Sequence, residues 1–261
     1  MGIRFEVTRG VGRVHIEFHQ RRNALRPNDA LEISEGITRI GHTASVVVVS
    51  GTAEAFCAGA DLAVVAEMRG PGKKEKLRDL YSRYHLMSRA LMDFPGIVIA
   101  AIDGPAIGLG ADLALACTQR YVGTGGWIQQ GWRQFGLIPG AGGLWSAVHS
   151  GGQAAAWHLL TCDKCDGATL ERFGLATAVD GSAESAALET ADRLCAQGAD
   201  WIRAYSSLMA GAGAEPFEVH LARCLQYQLD LVDGSTFSSA VERIAHILKS
   251  NDADGISEED T

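Results

Sequence analysis

Apolar positions along the chain follow two periods, and the switch between them marks the elements. Residues 45–50 (SVVVVS) and 97–102 (IVIAAI) are unbroken, β-branched runs of the length expected for strands buried on both faces. Residues 3–18 instead alternate around Gly10-Val11-Gly12, which predicts a hairpin with a first strand ending near Arg9 and a second over residues 14–18. Helical spacing covers residues 28–40 and 77–94, the latter with Leu80, Tyr84, Met87 and Leu91 three or four apart as one buried stripe. Residues 67–76 (EMRGPGKKEK) interrupt it, because Gly70, Pro71 and Gly72 oppose regular structure. Further helices are predicted at residues 153–160 and 166–173, before the segment GLATAV at 174–179. Another covers 183–197, with Ser182 as its cap and Glu184 and Glu189 early in it.

Alternation of this kind predicts an α/β fold in which repeated ββα units wind into a spiral. Residues 199–250 are helical throughout, broken at 211–216 and Gly234, and must bury their apolar faces on the spiral or on a neighbouring subunit. The chain therefore divides into a core domain over residues 1–197 and a C-terminal helical region over 198–250. An acidic tail follows over 251–261, carrying Asp252, Asp254, Glu258, Glu259 and Asp260 and expected to be disordered.

Two turns carry candidate chemistry. After residues 97–102, Gly104, Pro105, Gly108 and Gly110 strip side-chain cover from the backbone before a helix-like series, Leu113 to Ala116. Backbone N–H groups at such a helix start favour negative charge, although the same turn also serves tight packing alone. The dinucleotide pattern GxGxxG does not fit GPAIGLGAD. Residues 56–62 (FCAGADL) form a second glycine-bearing turn after the 45–50 strand. Two strand-ending turns that each offer a free N–H can converge on one oxygen, which is what an oxyanion hole requires.

In that order and spacing, FCAGADL, AAIDGPAIGLGADLALACT and FGLIPGAGG resemble the crotonase (enoyl-CoA hydratase/isomerase) superfamily, from about Phe5 to about Val179 and more weakly beyond. The resemblance implies a crotonase-like spiral acting on an acyl-CoA thioester, with coenzyme A as part of the substrate and no separate cofactor. It implies a homotrimer or dimer of trimers built through the C-terminal helices. The two oxyanion N–H groups fall on Ala60 and Leu109, the latter in place of the usual glycine, so its side chain must point away. The first catalytic glutamate position falls on Asp112, one methylene shorter and also a good dipole partner in a first helical turn. The second falls on Trp132, which can neither take nor give the proton. Two-carboxylate hydration is then expected to be weak, since one acid or base contributes roughly two to four orders of magnitude.

Arg22 matches a phosphate contact of the family, and Asn23, Ala24 and Leu25 match its backbone contacts to the CoA nucleotide. Ala58, Leu62 and Trp132 line the expected acyl site, and Lys249, in AHILK, matches a lysine that approaches CoA phosphate from a neighbouring subunit, with His246 beside it. Tryptophan at position 132 also resembles aryl-CoA dehalogenases, but their nucleophilic aspartate is replaced by Gly140. Trp127, Phe135 and Trp145 lie in the same stretch and serve either the acyl group or the core. His85, beside the buried stripe, is a further candidate base. Acyl-CoA processing of the hydratase/isomerase type is the leading expectation. A non-catalytic acyl-CoA binder and a crotonase-fold hydrolase or carbon–carbon lyase are the alternatives.

Composition narrows the setting. With 261 residues, 47% hydrophobic and 21% charged, the chain can bury a full core, and its net charge of −8 with no basic stripe argues against a nucleic-acid partner. No leader pattern and no run of eighteen apolar residues is present, so neither a membrane nor secretion is expected, and the location is expected to be cytoplasmic. The six cysteines are read as reduced thiols. Cys162 and Cys165 form a CxxC, but without a second CxxC or a nearby histidine pair no metal site is expected.

Overall fold

The computed structural model describes residues 2–68 and 70–254, with the side chains of 245–254 excepted. Nine strands are formed among the described residues: β1 (Ile3–Thr8), β2 (Val11–Ile16), β3 (Val46–Ser50), β4 (Ile97–Ile102), β5 (Pro105–Ile107), β6 (Gln119–Val122), β7 (Trp127–Gln129), β8 (Cys165–Asp166) and β9 (Thr177–Ala178). A six-stranded sheet runs β1-β2-β3-β4-β6-β9, and a three-stranded one runs β5-β7-β8. Only β1 pairs antiparallel in the large sheet, and the remaining pairs are parallel. The β-branched runs at β3 and β4 are buried at every position, as residues enclosed on both faces of a parallel sheet must be.

The hairpin turns earlier than the alternation suggested. Thr8 pairs with Val11, leaving a two-residue turn of Arg9 and Gly10 at φ 51° and 81°. Both positive angles suit the tight turn whose twist matches the flanking strands, so β2 starts at Val11 and not Val14.

Helices α1 (Pro27–Ile40), α2 (Leu62–Glu67), α3 (Lys74–Met92), α4 (Leu109–Ala116), α5 (Gly143–Thr161), α6 (Gly167–Arg172) and α7 (Ala183–Cys195) complete the first compact unit, Met1–Ala196. The stripe on α3 is buried as its spacing predicted. Short α2 was not anticipated; Asp61 starts it by accepting the Ala63 N–H at 3.1 Å. Helix α5 is longer than the predicted 153–160, since Gly152, at φ 75°, joins a second helical stretch across a kink. Every residue of α4 is buried, so this helix lies inside the core with no polar face to spare. At its end the buried Arg120 donates to the Cys117 carbonyl at 2.7 Å and to those of Leu115 and Leu175, meeting the free carbonyls of a helix C-terminus with a cation. Asp103, just after β4, accepts the Ala183 and Glu184 N–H groups at 2.5 and 3.1 Å and fastens α7 to the sheet.

The second unit, Gln197–Thr261, contains α8 (Ala199–Gly211), α9 (Phe217–Val232) and α10 (Ser235–Asp254), broken where the sequence predicted. Arg223 ties α9 to the preceding turn through Glu215, at 2.8 Å, and to α8 through the Ser207 carbonyl, at 3.2 Å. Helix α10 extends to Asp254, through the first residues of the expected tail. Residues 255–261 lie outside the described residues. Among the described residues no helix is long and apolar enough to cross a membrane.

Candidate active site

Three chain segments are laced edge to edge around residues 57–60. The Cys57 N–H donates to the Pro105 carbonyl at 3.1 Å, and the Ile107 N–H donates back to the Cys57 carbonyl at 2.9 Å, so the FCAGADL turn runs parallel to β5. On the opposite edge the Leu25 N–H donates to the Gly59 carbonyl at 2.7 Å and the Asp61 N–H to the Leu25 carbonyl at 3.0 Å. With Gly59 and Asp61 both committed to Leu25, the intervening Ala60 amide is left for the other edge, where α4 begins.

Each candidate donor follows a glycine in a conformation that side chains disfavour: Gly59 at φ 109° precedes Ala60, and Gly108 at φ 55° precedes Leu109. The approach between the turns is close. A methyl group added to Gly59 would sit 2.8 Å from the Ile107 carbonyl oxygen and 3.7 Å from the Leu109 nitrogen. One added to Gly110 would lie 2.1 Å from the Cys57 carbonyl oxygen. Leu109 is the first residue of α4, where helical amides lack an intrahelical acceptor, and neither its N–H nor that of Ala60 meets an acceptor among the described residues. The Leu109 side chain is wholly buried in the core.

Asp112, in the first turn of α4, is fully buried. Its carboxylate accepts the Ala141 N–H at 3.1 Å and the Gln130 amide at 3.4 Å. It also presses on the start of α5, where a methyl group on Gly143 would come within 2.0 Å of Oδ1. Burial drives the Asp112 carboxyl from 3.8 up to about 6, against the opposing pull of Ala141, Gln130 and the Trp132 indole. Trp132 is 5% exposed and lies against Gly108. The indole N–H, although turned toward Asp112, completes no hydrogen bond among the described residues, and neither does Gln130 Oε1. Two buried polar atoms thus stand unpaired beside the carboxylate.

Helix α3 supports this corner from outside. His85 Nε2 donates to the Gly140 carbonyl at 2.8 Å and Ser88 Oγ to the Ala141 carbonyl at 2.8 Å, so the loop that holds Asp112 is itself held. Tyr81 packs on Gly140, and its phenol is raised by burial and by the charge of Asp112. Cys57 is not a nucleophile here, because complete burial pushes its thiol to about 12.

Arg22 and Asn23 adopt successive left-handed conformations that bring their loop beside the FCAGADL turn, where the Arg22 carbonyl accepts the Ala58 N–H at 3.0 Å. Arg22 is exposed. Asn23 is wholly buried and braces the turn, donating to the Ala55 carbonyl at 2.7 Å. The N–H groups of Asn23, Ala24 and Leu25 are taken by Phe18, Arg21 and Gly59, and the side chains of Asn23 and Leu25 are wholly buried. Ala58 is half-buried, and Leu62 is 52% exposed at the start of α2. Of the aromatic residues between Trp127 and Trp145, Trp132 is the one that joins the site. Phe135 and Trp145 are 57% and 53% exposed, and Lys164 lies over the Trp127 ring. The side chains of His246 and Lys249 lie outside the described residues.

Tyr81 and Gln130 escaped the sequence reading. Gln130 stands two residues before Trp132 and was hidden by its bland polar setting, and Tyr81 lies on the flank of a helical stripe that read only as core.

Residues 6–240 match the family model described as enoyl-CoA hydratase/isomerase. A Mycobacterium tuberculosis protein named as a probable enoyl-CoA hydratase is 31% identical over 219 residues, 83% of this chain and 77% of its own. An ethylmalonyl-CoA decarboxylase of Xenopus tropicalis is 30% identical over 199 residues, 75% of this chain and 63% of its own. Among solved structures, Pseudomonas aeruginosa DspI superposes with a TM-score of 0.82 at 28% identity, covering 94% of both chains. The chain therefore belongs to the enoyl-CoA hydratase/isomerase (crotonase) family of acyl-CoA-processing enzymes.

Proposed function

We propose that this protein stabilises the enolate of an acyl-CoA thioester between the Ala60 and Leu109 N–H groups, and that Asp112 moves the proton. The observation that carries this reading is the pair of unaccepted amides, each set by a positive-φ glycine, on turns that approach within van der Waals distance. Donors fixed before the reaction stabilise the developing oxyanion without reorganising. A single carboxylate with a pKa near 6 can take a proton from one carbon of the acyl chain and return it to another. Double-bond isomerisation needs no more than that. Hydration needs a second group to handle water, and Trp132 occupies its position. Arg22 and Lys249 would meet CoA phosphates, the segment from Asn23 to Leu25 with Ala58 would border the nucleotide, and Leu62 with Trp132 the acyl chain. No cofactor beyond the CoA of the substrate is needed. The working form is a homotrimer or dimer of trimers formed through residues 198–250. With six free cysteines, a cytoplasmic location fits.

A carbon–carbon lyase reaction is the second reading, favoured by the same lone carboxylate. Loss of carbon dioxide from a malonyl-type thioester leaves an enolate that needs only the amide pair and one proton donor, and a relative is named for such a reaction. A panel of 3-enoyl-, 2-enoyl- and 2-alkylmalonyl-CoA thioesters separates the readings. The 3-enoyl thioester should turn over, and Asp112→Asn should lower that rate by roughly 100-fold or more while binding persists. Turnover of the malonyl type alone selects the lyase, binding without turnover in either protein selects a non-catalytic binder, and absence of binding to every thioester ends the assignment.

A further inference from the structure

At the far end of α5 from Asp112, the chain gathers a second constellation that the acyl site does not use. His158 and Cys162 are four residues apart at the end of the helix and so share a face, while Cys165 enters from β8. The three donor atoms all lie within 4.8 Å of one another. All three cysteine and histidine side chains come from the first compact unit.

We propose that His158, Cys162 and Cys165 form a zinc-type metal site that pins the end of α5 to the small sheet. The sequence offered only a CxxC, because a single histidine four residues before it reads as an ordinary helical residue. The structure adds the third donor, and its surroundings point to a ligand. His158 Nε2 is buried and has no hydrogen-bond partner among the described residues, although its ring is fixed by stacking on Phe173 at 4.5 Å. A polar atom left so in a packed setting is destabilising unless something binds it. Two thiols and an imidazole are the donor set that a borderline-soft divalent ion selects over magnesium or calcium. Tetrahedral zinc, with bonds of about 2.0–2.3 Å, holds its donors about 3.5–3.8 Å apart, so a contraction of about 1 Å closes the set.

The neighbouring carboxylates are engaged elsewhere, Asp163 with Arg133 and Asp166 as the cap of α6, where it accepts the Thr169 N–H at 2.9 Å. Lys164 is turned onto the Trp127 ring, 5.1 Å from its centre. The fourth bond would thus come from water or another small ligand. Occupancy would matter to the acyl site mechanically: Cys165 pairs with Ile128 on β7, the strand that leads into Gln130 and Trp132, while α5 starts against Asp112. The ion would fasten both segments that frame the carboxylate, in the role of a positioning element.

The test uses the full chain, stripped with chelator under reducing conditions and titrated with Zn²⁺ and Co²⁺. We expect one ion per chain, a sulfur-to-cobalt charge-transfer band with the intense ligand-field bands of a tetrahedral site, and a thermal midpoint that rises with zinc. Cys162→Ser should remove about half of the charge-transfer intensity, one of two thiolates. Its zinc affinity should fall at least tenfold, and the doubly substituted Cys162→Ser, Cys165→Ser chain should show no charge-transfer band. Failure of the unsubstituted chain to bind either ion overturns the site, as does affinity unchanged by Cys162→Ser, or a Cys162–Cys165 disulfide that persists in the presence of reductant. Because the readout is spectroscopic and needs no thioester, it stands or falls apart from the proposed reaction.

Discussion

Asp112 is held at a cost that pH can reveal. Its carboxyl titrates near 6 in the folded chain, above its ordinary 3.8, because burial disfavours the charge more than Ala141 and Gln130 favour it. Between those two values the folded state binds more protons than the unfolded chain, so stability declines as pH rises through the window and the full penalty stands above pH 6. A rise of that size corresponds to about 3 kcal/mol, an order-of-magnitude figure. Asp112→Asn keeps an acceptor for Ala141 and removes the charge. Denaturant unfolding should therefore find the variant more stable than the unsubstituted protein by about 2–3 kcal/mol at pH 8, with the difference shrinking toward zero at pH 4. Equal stabilities at both values would mean that the carboxylate is better solvated than its burial implies. The proton-transfer role proposed for it makes a coupled demand: turnover should decline below about pH 6 as the base is protonated, with one proton governing the limb. A group expensive to fold is retained where function demands it, since stability alone would have selected the amide.

The meeting of two turns is an affair of elements. Gly110 belongs to α4, where alanine would ordinarily be welcome, yet the Cys57 carbonyl leaves no room for a methyl group. Gly110→Ala must part α4 from the FCAGADL turn and move the Leu109 amide from its place. Loss of one oxyanion donor costs roughly 100- to 1,000-fold in rate, and kcat should fall on that scale with a smaller change in KM. Gly213→Ala, where a methyl group meets nothing within 4 Å, should leave kcat unaltered. A Gly110→Ala protein of full activity would show that the turns are not coupled. The same contrast explains what could be read beforehand. Strands β3 and β4 and the stripe on α3 announce themselves because burial repeats along one continuous segment. Strand β5 has three residues and owes its existence to Cys57 and β7, and α2 depends on an aspartate cap, so neither is carried by a period of its own. The two turns were legible because glycine spacing betrays them, whereas Ala60, Leu109 and Asp112 were singled out through the family resemblance. The supports from Gln130 and Tyr81 were not legible, since each acts across a contact between segments distant in sequence.

At the scale of the molecule, α9 poses the remaining question. None of its residues is buried, yet Phe217, Leu221, Leu225 and Leu229, each four apart, form one apolar stripe with exposures of 70%, 46%, 62% and 55%. On α10, Phe237, Val241 and Ile244 continue the pattern at 48%, 48% and 58%. Single exposed apolar residues are ordinary, but a stripe of this length on one helix is what protein surfaces keep for a partner. A second copy of the chain is the occupant that fits the trimer proposed above, because closed rotational symmetry lets each copy cover its neighbour's stripe. Leu225→Glu places a charge in the middle of that face. In an apposed interface its burial without a partner would cost several kcal/mol, whereas on a free surface it would cost almost nothing. Sedimentation should therefore show the unsubstituted protein as a trimer or hexamer and the variant dissociating toward monomer, with the far-ultraviolet circular dichroism of a folded chain retained. An assembly that survives the substitution would place the interface elsewhere, and a monomeric unsubstituted protein would leave the stripe for a different partner.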